Sequence, residues 1–250
     1  MSAPLVLLHG LSDSGDCWPG VVAHVRDRRV LTPTALGHGG RPLPEEFAVS
    51  ALGADTVATL RRELDGPAVV VGHSMGGLMA QEVALQAPEL VAALVLVDPA
   101  WVGGDGLAPD WLVDVVAARD TPVEDLVAQS HRDEPAWPDD ERGPWAAARS
   151  GLHPRLAEVP HAWAERDWPA VVGEVVRLGI PVTLVTGDPD RTIVTPPLVA
   201  RALAAADVPG AARLTVVNLP GTGHSVHRDD RPGFLATLDT VLTTVDSPAP

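Results

Sequence analysis

Short apolar runs alternate with amphipathic stretches along most of the chain. Leu5-Val6-Leu7-Leu8, Arg29–Thr34, Val69-Val70-Val71, Ala93–Val97, Val182–Thr186 and Ala212–Leu219 are too short for helices and rich in β-branched residues. They read as strands, and the uninterrupted Val69–Val71 run reads as one buried on both faces. Helices are predicted between them. Cys17–Val25 is one, and Ser50 can cap another that runs to about Leu64, with Leu52, Val57, Leu60 and Leu64 near one face. Gly77–Ala87, an Ala-rich stretch opened by Thr195-Pro196 and ending near Ala206, and Pro232–Val245 are the others, with the last five residues expected to fray. Strands alternating with helices mean βαβ units and a parallel α/β sheet of about six strands.

The rhythm breaks between Val102 and Leu178. No strand is predicted there, and short helical segments are interrupted by Pro and Gly. Thr121-Pro122-Val123-Glu124 reads as a capping box, and Val171–Leu178, stopped by Gly179, as a second helix. Six of the seven tryptophans (Trp101, Trp111, Trp137, Trp145, Trp163 and Trp168) fall in or beside this region, most simply as its own packing. The expected division is a core of residues 1–101 and 179–250 with a helical insertion over 102–178.

Composition narrows the function. A net charge of −15, with every one of the 18 basic residues an arginine, argues against nucleic acid and anionic membrane as partners. The single cysteine, Cys17, excludes an internal disulfide. With no basic leader ahead of a long apolar core and no run long enough to span a bilayer, a soluble, cytoplasmic protein is expected, as monomer or homodimer, acting on a small molecule. His131, His153 and His161 lack metal-ligand spacing, so neither metal nor cofactor is expected.

The chemistry centres on Gly72-His73-Ser74-Met75-Gly76, a G-x-S-x-G pattern between a strand and a helix. Turning a strand into a helix within one residue requires Ser74 to take a strained conformation, and Gly72 and Gly76 leave it room. The Met75 N–H heads the helix, where negative charge is favoured. A serine hydroxyl needs a base, and the base needs an orienting acid. His224 follows the last strand and Asp190 the strand before it. Asp188 reads as a turn former, His227 as a pocket wall, His73 as packing and His9 as a brace.

His9-Gly10, Leu36-Gly37-His38-Gly39, Gly72–Gly77, Gly187-Asp188-Pro189-Asp190 and Gly221-Thr222-Gly223-His224, in that order, closely resemble the α/β-hydrolase superfamily. The resemblance covers nearly the whole chain except the insertion. It implies a triad of Ser74, His224 and Asp190, with Asp98, after the strand 93–97, at the alternative acid position of some relatives, an oxyanion hole of the Leu11 and Met75 N–H groups, and a lid or cap at 102–178. The expected activity is hydrolysis of a carboxylic ester, lactone or thioester of a small, largely apolar substrate through an acyl-enzyme on Ser74. The alternatives on the same fold are a C–C bond hydrolase and a weakly catalytic ligand receptor. The absence of lysine and tyrosine, with serine as nucleophile, counts against hydroxynitrile lyases, epoxide hydrolases and haloalkane dehalogenases.

Overall fold

A computed structural model describes residues 2–102, 106 and 110–247. The strands are β1 (Leu5–Leu8), β2 (Val30–Leu31), β3 (Phe47–Ala48), β4 (Ala68–His73), β5 (Val91–Val97), β6 (His161–Ala162), β7 (Val182–Thr186) and β8 (Leu214–Asn218). The helices are α1 (Pro19–His24), α2 (Val49–Glu63), α3 (Met75–Gln86), α4 (Asp110–Ala117), α5 (Val123–Asp133), α6 (Asp139–Ser150), α7 (Trp168–Arg177), α8 (Pro196–Ala206), α9 (Val226–Asp229) and α10 (Arg231–Asp246). Six strands form a wholly parallel sheet in the order β2-β1-β4-β5-β7-β8. The expected α/β architecture is therefore present.

The period of two along each strand sorts side chains between two cores. Val6, Leu8, Val70, Leu94, Leu96 and Leu184 join the core under α2, α3 and α7. Leu5, Leu7, Val69, Val71, Val95 and Val97 join the opposite core with Trp18 of the loop before α1 and Phe234 and Leu238 of α10. Each of these side chains withdrawn from water contributes roughly 1.5–3 kcal/mol, and β1 and β5 carry apolar residues alone.

Several expectations change in the segment between β5 and β7. A two-residue strand, β6, lies there after all, paired in parallel with β3. Thr121 makes no capping hydrogen bond to α5, which starts at Val123. Nor does Ser50 cap α2, whose N-cap position is Ala48. Instead Glu165 does that work from outside: its carboxylate accepts from the Ser50 N–H at 3.0 Å and from Ser50 Oγ at 2.8 Å. Next to it, Arg166 pairs with the fully buried Glu82 of α3. Helix α7, expected as part of the insertion, packs against α3 and α8 beside the sheet. The tryptophans divide accordingly. Trp137 and Trp145 form a small core with Leu126 of α5 and Ala146 of α6. Trp101, Trp163 and Trp168 belong to the main core, and Trp111 is half exposed. At the C-terminus Asp246 is held by Arg28 at 3.0 Å and by the Ala3 N–H at 3.0 Å, so α10 is anchored to its last residue. Residues 248–250 of the expected frayed end lie outside the described residues.

Candidate active site

The non-glycine residues with positive φ, among those described, are two: Ser74 (φ 53°) and Asp98 (φ 37°). Both stand one residue past neighbouring strands, β4 and β5, whose last residues His73 and Val97 are in register. A single residue in this region costs of order 1–3 kcal/mol and persists only where its surroundings overdetermine it. Here the sheet ladder continues through both positions. The Ser74 N–H donates to Val97 O at 3.1 Å, and the Asp98 N–H to Val185 O at 2.9 Å. The Ser74 carbonyl accepts from Gly77 at 2.9 Å and from Ala100 at 3.1 Å. The glycines are sterically required: a Cβ on Gly72 would stand 2.1 Å from Gly76 O, and one on Gly76 2.2 Å from Leu8 O. Strand, serine and helix therefore meet at a spacing no side chain could fill.

The expected partner of His224 is not the one the structure provides. Asp98, and not Asp190, faces His224: His224 Nδ1–H donates to Asp98 Oδ2 at 2.6 Å. Asp98 is 0% exposed, and two backbone N–H groups complete its carboxylate, Ile193 to Oδ2 at 2.9 Å and Val194 to Oδ1 at 2.8 Å. Those donors lie in the loop after β7 that carries Asp190. That loop supplies amides to the acid and not the acid itself. Asp190 is exposed on a turn closed by the Arg191 N–H to Asp188 O at 3.0 Å. Asp188 Oδ1 accepts from the Gly221 N–H at 3.0 Å, tying this loop to the one that carries His224.

A carboxylate only accepts, so the proton on the Asp98-facing side of the ring sits on Nδ1 and leaves the Nε2 lone pair free. The His224 carbonyl accepts from His73 Nε2–H at 2.9 Å, and the two rings lie 4.7 Å apart. Burial, reinforced by His224, holds the His73 pKa down to about 3, so this support is neutral. His73 also touches His227, whose two ring nitrogens are buried without hydrogen-bond partners among the described residues. His227 lies on the Trp18 and Phe234 side of the sheet and is not a wall of the cavity, contrary to expectation.

The loop after β1 is fixed by two more buried histidines. His9 Nδ1–H donates to Gly10 O at 2.8 Å, and Nε2 accepts from the Ala35 N–H at 3.0 Å, a pattern only the neutral ring satisfies. Burial, then His38, holds its pKa down to about 3. With Gly10 O also bound by the Asp13 N–H at 3.1 Å, the trans peptide aims the Leu11 N–H the opposite way. His38 Nε2 reaches Leu11 O. Gly10 abuts the serine: a Cβ there would lie 3.4 Å from Ser74 Cβ and 2.9 Å from His73 Nδ1.

Ser74, His224, Gly10 and Leu11 line one cavity of about 880 Å³, closed from above by residues of α5, α6 and the turn between them, Trp137 and Trp145 among these. Its lining takes in part of a buried ion cluster that the sequence did not flag, with Asp13 and Arg228 among the lining residues. Arg228, two percent exposed, pairs with Asp13 at 2.9 Å and with Glu141 of α6 at 3.6 Å. Burial pushes the Asp13 carboxyl up, but the Arg228 guanidinium and the neighbouring histidines pull it below its ordinary value. Among the described residues no group of His, Cys, Asp and Glu could hold a metal ion, and no helix is long and apolar enough to cross a membrane.

A model described as the alpha/beta hydrolase family matches residues 5–238. Lipase LipV of Mycobacterium tuberculosis (strain ATCC 25618 / H37Rv) is 35% identical over 137 residues, which is 55% of this chain and 52% of LipV. The sn-1-specific diacylglycerol lipase ABHD11 of Xenopus laevis is 43% identical over 101 residues, 39% of this chain and 32% of that protein. The matches thus span about half of the one relative's length and a third of the other's. Among solved structures, E-2-(acetamidomethylene)succinate hydrolase has a TM-score of 0.71 at 18% identity, covering 99% of this chain and 92% of its own. Esterase RhEst1 from Rhodococcus sp. ECU1013 has 0.70 at 23% identity, covering 98% and 91%. At these identities the solved structures speak for the fold alone.

Proposed function

Since the chain belongs to the alpha/beta hydrolase family, we propose that it is a serine hydrolase of carboxylic esters, with Ser74 as nucleophile, His224 as general base and Asp98 as orienting acid. Relatives named lipase support ester hydrolysis in general. The observation that carries the finer reading is the buried Asp98 on His224 Nδ1 at 2.6 Å, with the ring and the strained Ser74 lining one cavity.

The steps follow from the geometry. Ser74 Oγ attacks the ester carbonyl carbon while His224 Nε2 takes the hydroxyl proton. Asp98 stabilises the imidazolium and keeps Nδ1 protonated. The carbonyl oxygen becomes an oxyanion and receives the N–H groups of Leu11 and Met75. The first is aimed by the pinned Gly10 carbonyl, and the second sits at the first position of α3, where no intrahelical acceptor exists. The C–O bond breaks, the alcohol leaves with the proton from His224, and water repeats the sequence on the acyl-serine. Helices α5 and α6 act as the cap.

The test is turnover of 4-nitrophenyl butyrate with Ser74→Ala as control. We expect steady multiple turnover, labelling by a fluorophosphonate at Ser74, and a loss on the order of a million-fold in kcat in a variant that still folds. Labelling that persists in Ser74→Ala would place the nucleophile elsewhere. A single turnover with a large rise in Tm would mark a receptor.

A further inference from the structure

We propose that Arg149 is the anion-recognising residue of the cavity and that the substrate class is an ester bearing a free carboxylate. Three arginines line the cavity. Arg228 is committed to Asp13 and Glu141, and Arg191 donates to Gly221 O at 3.0 Å. Arg149, in the last turn of α6, has neither an ion pair nor a hydrogen-bond acceptor among the described residues, and its Nε is buried without a partner. Its guanidinium is laid over the Trp145 ring, 4.4 Å from the centroid, which fixes the long side chain without neutralising it. Burial lowers its pKa from the ordinary value, yet an arginine does not give up its proton at neutral pH.

An Nε–H drawn from water without an acceptor is costly, and no wall residue pairs with it. Asp13 attracts Arg149, but beyond ion-pair distance, and is already held by Arg228 at 2.9 Å. Asp229 accepts from Trp137 Nε1 at 2.8 Å and from the Gly223 N–H at 2.6 Å. Asp133 accepts from Gln129 Nε2 at 3.0 Å. Glu134 belongs to the far wall: burial and then Asp229 push its pKa up, and the cations that reach it are Arg191 and Arg142. Among the residues lining the cavity Arg149 is thus the cation without an acceptor, while Asp13, Asp229 and Asp133 are each engaged by another donor. A planar, forked donor set on a rigid aromatic base is the geometry that takes a carboxylate with two parallel hydrogen bonds.

The inference rests on the ester-hydrolase reading for its kinetic arm only. Two matched pairs are compared: 4-nitrophenyl butyrate with the 4-nitrophenyl monoester of glutaric acid, and phenyl acetate with 4-acetoxybenzoate. The first pair places the carboxylate on the acyl chain, the second on the leaving group. Wild type should prefer the charged member of at least one pair about tenfold or more, and Arg149→Gln should lower kcat/KM for that ester about 10- to 100-fold, with the neutral partner within about threefold. Arg149→Lys should restore part of the loss. Equal losses on both members, or no charged preference in either pair, would overturn the assignment. Calorimetric titration of Ser74→Ala with glutarate is the second arm. Saturable binding that Ser74→Ala/Arg149→Met abolishes supports the site even if no ester turns over. Binding that is absent, or unchanged by the second substitution, refutes it. Arg149→Met keeps an apolar stem on Trp145, so the result does not hang on one variant's folding.

Discussion

The two walls of the cavity are ordered by different means. On the sheet side, Ser74 and Asp98 take strained conformations because the ladder between β4, β5 and β7 runs through them. On the helical side, α5 and α6 have a small core of their own, Leu126, Trp137, Trp145 and Ala146, and are held to the rest by charged side chains. Glu141 reaches Arg228 and Arg231, and Asp140 reaches Arg231 at 2.5 Å. Hydrogen-bonded backbone gives precision, which a nucleophile and its acid require. Side-chain ion pairs give attachment that a few substitutions can retune, which suits the wall that meets variable parts of a substrate.

The sharpest way to break this comparison is at the acid. Asp98→Asn should lower kcat by roughly ten-thousand-fold, the scale known for an acid that fixes a histidine tautomer, while Asp190→Asn should leave kcat within about threefold. Steady-state rates of the two variants at neutral pH decide it, and a larger loss in Asp190→Asn would return the acid to the loop after β7.

The joint between the walls comes next. Arg228→Met leaves Asp13 buried without its cation and Glu141 with Arg231 alone, and removing one partner of a buried pair costs about 3–5 kcal/mol. Urea unfolding should show this as a lower midpoint at unchanged slope. A midpoint like that of wild type would mean the cluster contributes nothing to holding α6 in place.

The smallest effect concerns acid stability. His9 and His73 are held down to about 3, and His227 well below its ordinary value, in each case first by burial. Below pH 6.5 the unfolded chain binds protons these rings refuse, so stability is full above that pH and falls as pH drops from 6.5 toward 3. Each such histidine contributes roughly 1.4 kcal/mol per pH unit within that window. His227 packs on Trp18 and Phe234 with both ring nitrogens unpartnered, so His227→Phe should flatten the pH dependence of Tm between pH 6.5 and 5 by up to one proton's worth without lowering Tm at pH 8. An unchanged slope would show that His227 takes up a proton in the folded protein.

The six strands of the main sheet and the turn at Ser74 were legible in the sequence because they rest on local signals, whereas the two-residue strands β3 and β6 were not. Periodicity sets the strands, and two glycines around a serine after three valines set the turn. His224 was legible from its place after the last strand. The acid was not, because Asp98 and Asp190 both follow strands in acceptable loops. What chooses between them is that Val185 O, one strand over, holds the Asp98 N–H while Ile193 and Val194 turn their amides inward. That relation between chain positions far apart leaves no local pattern. Arg149 and Arg228 were missed for the same reason: nothing in a helical spacing distinguishes a free guanidinium from a paired one.

The points where the chain leaves and rejoins the core carry a consequence for how such a protein diversifies. The departure is pinned at Ala100, whose N–H binds the Ser74 carbonyl, and the return at Glu165 and Arg166, clasped to Ser50 and Glu82. Both anchors lie on the sheet layer and its flanking helices, outside α4, α5 and α6. Within the stretch between them, α4 and α5 can therefore change in length, charge and aromatic content while Ser74 stays where it is.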